Sequence, residues 1–461
     1  MAINFSGQRI LILGAGVTGI AAAKSLAKRG ALISLADDQV NEVVNFSVST
    51  VEKCDISDFD SLLISPGWRP DHPLIQAAQK AKKNILNEVD LAWSLRADLV
   101  PNQRWIALTG TNGKTTTVEL VATMLRAEGI KAIACGNVGT TVIEAVESSD
   151  KYDVLVLELS SFQLHWLKEA SFVAAAILNI AQDHLDWHDG FENYAKTKMS
   201  IFDRAGTGIF NGDDREVLTR AKFWQGRKVF FSLDTPAPGE IGLVEDLLID
   251  RAFVIDPQEA QMLAEVLDVT PTVAHNVSNA LAAAALARAI GVDYTSIRRA
   301  IKEFKVGSHR RETIAISDGI SWVDDSKATN PHAAAASLLA TISAIWLAGG
   351  LAKGAQMDDL IARTKTRIKA AILFGSDREL IATALRQQAP SIEIVLVDAP
   401  DNYRKGGLDN SLMEAVVRAA QSRAVAGDTV LLAPACASMD QFNSYSDRGD
   451  RFAAAVKQLI A

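Results

Sequence analysis

The nine residues TGTNGKTTT, Thr109 to Thr117, constrain this chain more than any other stretch. They follow an apolar run, Trp105 to Leu108, and open a segment with helical spacing, so the order is strand, glycine turn, helix. Such a turn cradles phosphate. Gly110 and Gly113 let the backbone come close to an anion, with Thr111, Asn112 and Thr116 completing the loop. Lys114 supplies a point charge for the β- and γ-phosphates, and Thr115 offers its hydroxyl to Mg2+ at the positive end of the helix. The usual pattern has a glycine where this chain has Leu108, so the loop is a shorter TGxxGKTT variant. The spacing predicts ATP binding.

At 461 residues the chain suits about three domains. A net charge of -8 argues against a nucleic-acid partner, which would require a basic face. Three widely spaced cysteines, Cys54, Cys135 and Cys436, imply neither a disulfide framework nor a CxxC metal site. The apolar stretch after Arg9 could pass for a signal peptide, but Gly14, Gly16, Gly19 and Lys24 interrupt it. No run is long enough to span a membrane, and a soluble cytoplasmic protein is expected.

Three α/β units succeed one another, with boundaries expected at 1–99, 100–306 and 307–461. The first reads as strand Arg9–Leu13, the turn GAGVTG, a helix, strand Ala31–Ala36 and strand Ser61–Ile64 ending in SPG, a Rossmann-like domain. Its GxGxxG with Asp37 and Asp38 could bind NAD(P); such glycines also serve merely to pack helix on strand. Pro101 to Gln103 mark a linker. The second unit is a P-loop ATPase-type domain with a mainly parallel sheet, its strands read at Trp105–Thr109, Asp153–Leu159 and Ala174–Ile180 as continuous apolar runs. The third, again Rossmann-like, alternates strands near Ile320–Asp324, Ala344–Ala348, Ala371–Phe374, Ile392–Val397 and Thr429–Ala433 with amphipathic helices.

Chemistry gathers around the phosphate loop. Glu158 ends an apolar strand, where an acid holds Mg2+ beside such a loop. Asp183, His184 and Asp186 follow another strand; His184 is a candidate ligand for a second metal, and His188 reads as a surface residue. Lys198 is a problem, because two Mg2+ ions would repel it. It is either a solvated helix residue or modified so that its charge reverses, and spacing alone favours the solvated reading. Cys436 reads as a small packed thiol.

TGTNGKTTT, ELSSFQL, ILNIAQDHLDWH with Lys198 downstream, AHNVSNA, HRRE, DDSKATNP, LAGGLAKG and LLAPACASMDQFNSYSDRG together resemble the Mur ligase family in order and spacing, over nearly the whole chain. The last three resemble the branch that joins D-glutamate to UDP-N-acetylmuramoyl-L-alanine. The resemblance implies ATP, two Mg2+ sites and a CO2-derived carbamate on Lys198, with Thr115 and Glu158 at one metal and His184 and Lys198 at the other. It makes Lys114, His184 and Lys198 catalytic and puts Asn276, Arg310 and Asp325 against the nucleoside, with Arg311 competing for the role of Arg310. D-glutamate would meet Lys327, Thr329, Lys353 and Ser438, with Met439 and Tyr445 lining the site. Val17 and Thr18 would receive the uridine nucleotide, with Asn137 and Ser160 near its diphosphate. Asp38-Gln39 stand where relatives carry Thr-Arg, and Trp187-His188 where an arginine is expected. A monomer is expected, without nucleic-acid or membrane partners. Competing readings are a Mur or folylpolyglutamate-type ligase for another amino acid, and a nucleotide-gated NAD(P)-binding protein.

Overall fold

The computed structural model describes residues 5–40, 42–400, 403–405, 407 and 409–460. Its three sheets are built from buried apolar runs. In the first, β1 (Arg9–Leu13), β2 (Leu32–Ala36), β3 (Val48–Ser49), β4 (Ser61–Ile64) and β5 (Asn84–Leu86) run parallel in the order β3-β2-β1-β4-β5. Gly19 sits where helix Val17–Ala27 crosses the turn, and a Cβ there would run into the Gly14 carbonyl. The acids after β2 are spent on backbone: Asp37 accepts from Ala15, Gln39 and Val40 N–H, and Asp38 from Val51 N–H. The glycine motif therefore packs a helix and organises a turn.

The second sheet has nine strands: β6 (Arg104–Thr109), β7 (Ala132–Gly136), β8 (Val154–Glu158), β9 (Phe172–Ile177), β10 (Ala205–Asn211), β11 (Arg227–Phe231), β12 (Glu240–Val244), β13 (Leu247–Asp250) and β14 (Gln261–Glu265). Their order is β14-β13-β12-β11-β10-β9-β6-β8-β7, parallel except for the antiparallel β12-β13-β14 edge. The sequence reading missed β7 and β10 to β14: β10 opens on the small and polar residues Ala205 to Gly208, and the edge strands β12 and β14 are short and only partly buried, so neither shows the continuous apolar run of a strand covered on both faces. The alanine-rich helix Ala274–Ile290 packs in the same core as Ile106, Leu108 and Val156, its small side chains allowing close approach.

In the third sheet, β15 (Glu312–Ser317) pairs antiparallel with β16 (Ile320–Asp324), and β16-β20-β17-β18-β19 are parallel, with β17 at Ala344–Gly349, β18 at Ile368–Phe374, β19 at Glu393–Leu396 and β20 at Thr429–Leu432. Trp346 and Ile345 feed separate hydrophobic cores, so β17 is buried on both faces. Two compact units divide the chain. One comprises Met1–Ile180, Trp187–Thr272 and Asn276–Phe304; the other comprises Ala181–Asp186, Val273–His275 and Lys305–Ala461.

Within the first unit, helix Glu88–Leu99 binds the two sheets' segments together. Asp90 accepts N–H bonds from Lys168, Glu169 and Ala170, and Glu88 accepts the Ile143 N–H at 2.7 Å. Burial pushes the Glu88 carboxyl up from 4.5 to about 7 despite its backbone donors. The unfolded chain releases this proton near 4.5 and the folded chain near 7, so the stability it contributes is complete below 4.5 and lost as the pH rises through 7. That difference is worth about 3 kcal/mol. Glu88→Gln keeps an acceptor for Ile143 and is expected to raise Tm clearly at pH 8 but hardly at pH 4.5 in scanning calorimetry; equal shifts at both pH values would assign the effect to packing.

Candidate active site

The phosphate loop lies between β6 and helix Lys114–Ala127. Gly113 adopts φ 84°, and a Cβ there would collide with the Asn279 amide. No side chain caps the helix, leaving its first N–H groups and positive end open to an anion. Asn179, which the sequence reading passed over, clamps the loop: its Oδ1 accepts the Asn112 N–H at 2.8 Å and its Nδ2 donates to the Asn112 carbonyl at 3.1 Å. Thr111 Oγ1 lies 2.9 Å from the Tyr194 hydroxyl. Lys114 Nζ donates to the carbonyls of Gly110 and Thr111 at 2.9 and 3.0 Å.

Register brings Glu158 to this loop, because Leu108 on β6 pairs with Glu158 on β8. The carboxylate is 2% exposed; Oε1 accepts from Asn137 Nδ2 at 2.9 Å, while buried Oε2 has no hydrogen-bond partner among the described residues. Asn137 thus orients Glu158, with its own N–H on the Glu158 carbonyl. Lys198 corrects the solvated reading. It is 2% exposed, and its Nζ donates to the Gly110 carbonyl at 2.9 Å and contacts Thr109 Oγ1 at 3.4 Å, over the Tyr194 ring at 4.8 Å. Helix Phe191–Met199 turns this lysine inward while Lys196 on the same helix lines an open cleft. Two lysine nitrogens therefore converge on one carbonyl oxygen, which is unfavourable if both are cations.

His188 also departs from its surface assignment. It is 5% exposed, with Nε2 2.9 Å from Ser161 Oγ and its ring stacked on Phe162, because the short helix Leu185–His188 drives it into an aromatic cluster. Trp187 of that cluster donates to the Gly67 carbonyl at 3.0 Å, joining it to the SPG turn. A pocket of about 530 Å³ lined by Ser65, Gly67, Trp68, Arg69 and His72 opens at that turn. Val17 is exposed and Thr18 half-buried at the uncapped start of helix Val17–Ala27. Ser160 caps helix Ser161–Trp166 in a reciprocal box with Gln163, so its hydroxyl has a structural partner. Asn276 is buried, with Nδ2 on the Pro271 carbonyl.

In the second unit, His184 adopts φ 52° with Nε2 3.6 Å from Asp183 Oδ1. Asp325 is buried, and burial raises its pKa to about 6 against the pull of Ser337 and Arg311. Arg311 is anchored in the fold, donating to the Ser337 carbonyl and hydroxyl at 2.6 and 2.9 Å, whereas half-buried Arg310 acts electrostatically on Tyr445. Lys327 Nζ lies 3.8 Å above the Tyr445 ring, and Thr329 follows in the same loop. Lys353 is exposed at φ 50° on the loop after β17; Ser438 is buried and Met439 exposed on the loop after β20. His309, unremarked in the sequence, sits 2.7 Å from Asp324 Oδ2, buried below these loops. Cys436 is fully buried, as expected of a packed thiol.

Among the described residues no three His, Cys, Asp or Glu side chains are grouped to hold a metal. A cation here must draw on hydroxyl, phosphate or water oxygens as well, which suits Mg2+. The buried Glu158 oxygen without a partner, in register with the residue that precedes the loop, fits such an ion.

Three family models match the chain: "Mur ligase MurD-like, N-terminal domain" over residues 8–87, "Mur ligase middle domain" over 108–287 and "Mur ligase, glutamate ligase domain" over 309–436. A curated protein of Thermobifida fusca named UDP-N-acetylmuramoylalanine–D-glutamate ligase is 46% identical, over 99% of this chain and 100% of its own length. Its namesake from Streptomyces avermitilis is 44% identical over 99% of this chain and 100% of its own length. The chain belongs to the Mur ligase family.

Solved structures agree at the level of fold. The UDP-N-acetylmuramate-alanine ligase of Thermotoga maritima superimposes with a TM-score of 0.58 at 17% identity, covering 98% of this chain and 99% of that one. The pseudomurein peptide ligase type C of Methanothermus fervidus gives 0.59 at 18%, covering 98% and 100%. Like other Mur ligases the chain is an α/β protein of three domains with mainly parallel sheets. No helix among the described residues is long and apolar enough to cross a membrane.

Proposed function

We propose that this Mur ligase joins the amine of D-glutamate to the carboxylate of UDP-N-acetylmuramoyl-L-alanine, with cleavage of ATP to ADP and phosphate, as a monomeric cytoplasmic enzyme of peptidoglycan precursor synthesis. The observation that supports it best is the meeting of Lys114, Lys198 and Glu158 around one open helix N-terminus. A carboxylate is a poor electrophile, so its oxygen first takes the γ-phosphoryl group and ADP leaves. The amine then attacks the acyl phosphate, forming the amide and expelling phosphate.

The loop Gly110 to Thr116 would hold the phosphates by backbone N–H groups, with Lys114 swinging from its carbonyl partners to the β/γ oxygens. Thr115 and Glu158 would hold one Mg2+; His184 and a carbamate on Lys198 would hold a second. Bound Mg2+ supplies charge neutralisation as two anions approach. The carbamate would turn the crowded second ammonium into an anion. Asn276, Arg310 and Asp325 are assigned to the nucleoside. Lys327, Thr329, Lys353 and Ser438 are assigned to the amino acid's carboxylates, beside Met439 and Tyr445. Val17 and Thr18 are assigned to the uridine nucleotide, with Asn137 and Ser160 contributing through groups not engaged by Glu158 and Gln163. The corresponding domains are 1–99, 100–306 and 307–461.

The test is ADP and phosphate release with ATP, Mg2+ and UDP-N-acetylmuramoyl-L-alanine, comparing D-glutamate, L-glutamate, L-lysine and meso-diaminopimelate. Release only with D-glutamate is expected. Release with another of the four would move the chain to a different amino acid, and release indifferent to all four would leave a nucleotide-gated binder.

A further inference from the structure

Arg448, on helix Tyr445–Ile460, is fully buried. A guanidinium at that depth costs several kcal/mol unless its donors are satisfied. Here the acceptors come from the ends of three separate strands and the loops that follow them. Nε donates to Ser326 Oγ at 3.0 Å and Nη2 to the Ser326 carbonyl at 2.9 Å, while Nη1 donates to the carbonyls of Gly349 at 3.3 Å and Cys436 at 3.2 Å. Ser326 Oγ in turn donates to the Tyr445 carbonyl at 2.7 Å, at the start of the arginine's own helix. These acceptors sit at or just beyond the C-terminal ends of β16, β17 and β20, neighbours in the sheet in the order β16-β20-β17.

The same three loops carry Lys327 and Thr329, Lys353, and Ser438. No carboxylate among the described residues bonds to Arg448; Asp324 and Asp440 influence it only through their charge. Burial brings its pKa down to about 10, so it stays positive at neutral pH. The guanidinium offers five donors in fixed directions, enough for these four acceptors at the ends of three strands, whereas a lysine ammonium has three donors and no fixed fork.

We infer that Arg448 is a positioning residue that fixes the spacing of the three amino-acid-binding loops, and so sets which length of dicarboxylate they accept. The inference rests on the reading that these loops bind D-glutamate. An arginine needed only for folding would lower stability and the yield of active enzyme while leaving every KM alone. One that sets loop spacing alters the amino-acid KM selectively.

The experiment is steady-state kinetics on full-length Arg448→Lys and Ser326→Ala, varying D-glutamate, D-aspartate, ATP and UDP-N-acetylmuramoyl-L-alanine in turn, with Tm as a control. Expected is a rise of about tenfold or more in the D-glutamate KM, a reduced preference for D-glutamate over D-aspartate, and ATP and uridine-substrate KM values within about twofold of the parent. Ser326→Ala, which removes one acceptor and leaves the arginine in place, decides the matter if Arg448→Lys does not fold. An unchanged D-glutamate KM in a folded variant, or equal rises for all substrates, overturns the positioning role. A parent enzyme whose ADP release ignores D-glutamate overturns the underlying reading instead, and the two failures are distinguishable.

Discussion

Lys198→Ala is expected to lower kcat by about a thousandfold, on the order of 4 kcal/mol of transition-state stabilisation, and to regain part of it when acetate or propionate is added. Lys198 is almost completely buried and reaches the carbonyl that Lys114 also uses. As a second ammonium it would add positive charge where the site needs anionic ligands for a metal. As a carbamate it keeps an N–H and gains two oxygens that share one negative charge. Alanine at this position would vacate the volume of the lysine chain, and a small carboxylate entering that space would restore the missing charge. Steady-state rates with and without the acid measure the rescue, and a carbon-13 resonance from enzyme equilibrated with labelled bicarbonate reports the carbamate directly. A folded variant without rescue, together with no labelled signal in the parent, would return Lys198 to a packing role.

Glu158→Gln is expected to raise the Mg2+ concentration for half-maximal activity and to lower kcat, each by roughly a hundredfold. The amide is nearly isosteric and retains an oxygen for Asn137, so the strand pairing with β6 and β7 should hold. What it removes is the negative charge on a buried oxygen that no described residue satisfies. In its place stands an N–H donor that cannot ligate a cation. Unchanged Mg2+ dependence would mark Glu158 as an anchor for Asn137.

Much of this architecture can be read from the residues. The strands Ser61–Ile64 and Ile320–Asp324 are uninterrupted apolar or nearly apolar runs with clear ends, and both appear at the expected residues. The phosphate loop is legible because glycine spacing and an adjacent lysine leave few alternatives. Lys198 and His188 were misread because a basic residue on a short helix can face either way, and only the packing of Tyr194 and Phe162 decides it. Asn179 and Arg448 were missed for a related reason. Each bonds residues far away in the chain, Asn112 in one case and Ser326 and Gly349 in the other, and no local pattern encodes those partners.

Helix Glu88–Leu99 alters the meaning of the interruption at Pro101 to Gln103. Asp90 collects three backbone N–H groups from Lys168 to Ala170, Glu88 holds Ile143, and Gln103 itself donates to the Tyr152 carbonyl. The polypeptide changes sheets there, but non-covalent bonds on both sides bridge the crossing. It is a seam more than a hinge, and a protease that nicked the chain at Asn102 would leave two fragments still folded against each other, co-eluting as one particle until a denaturant parted them.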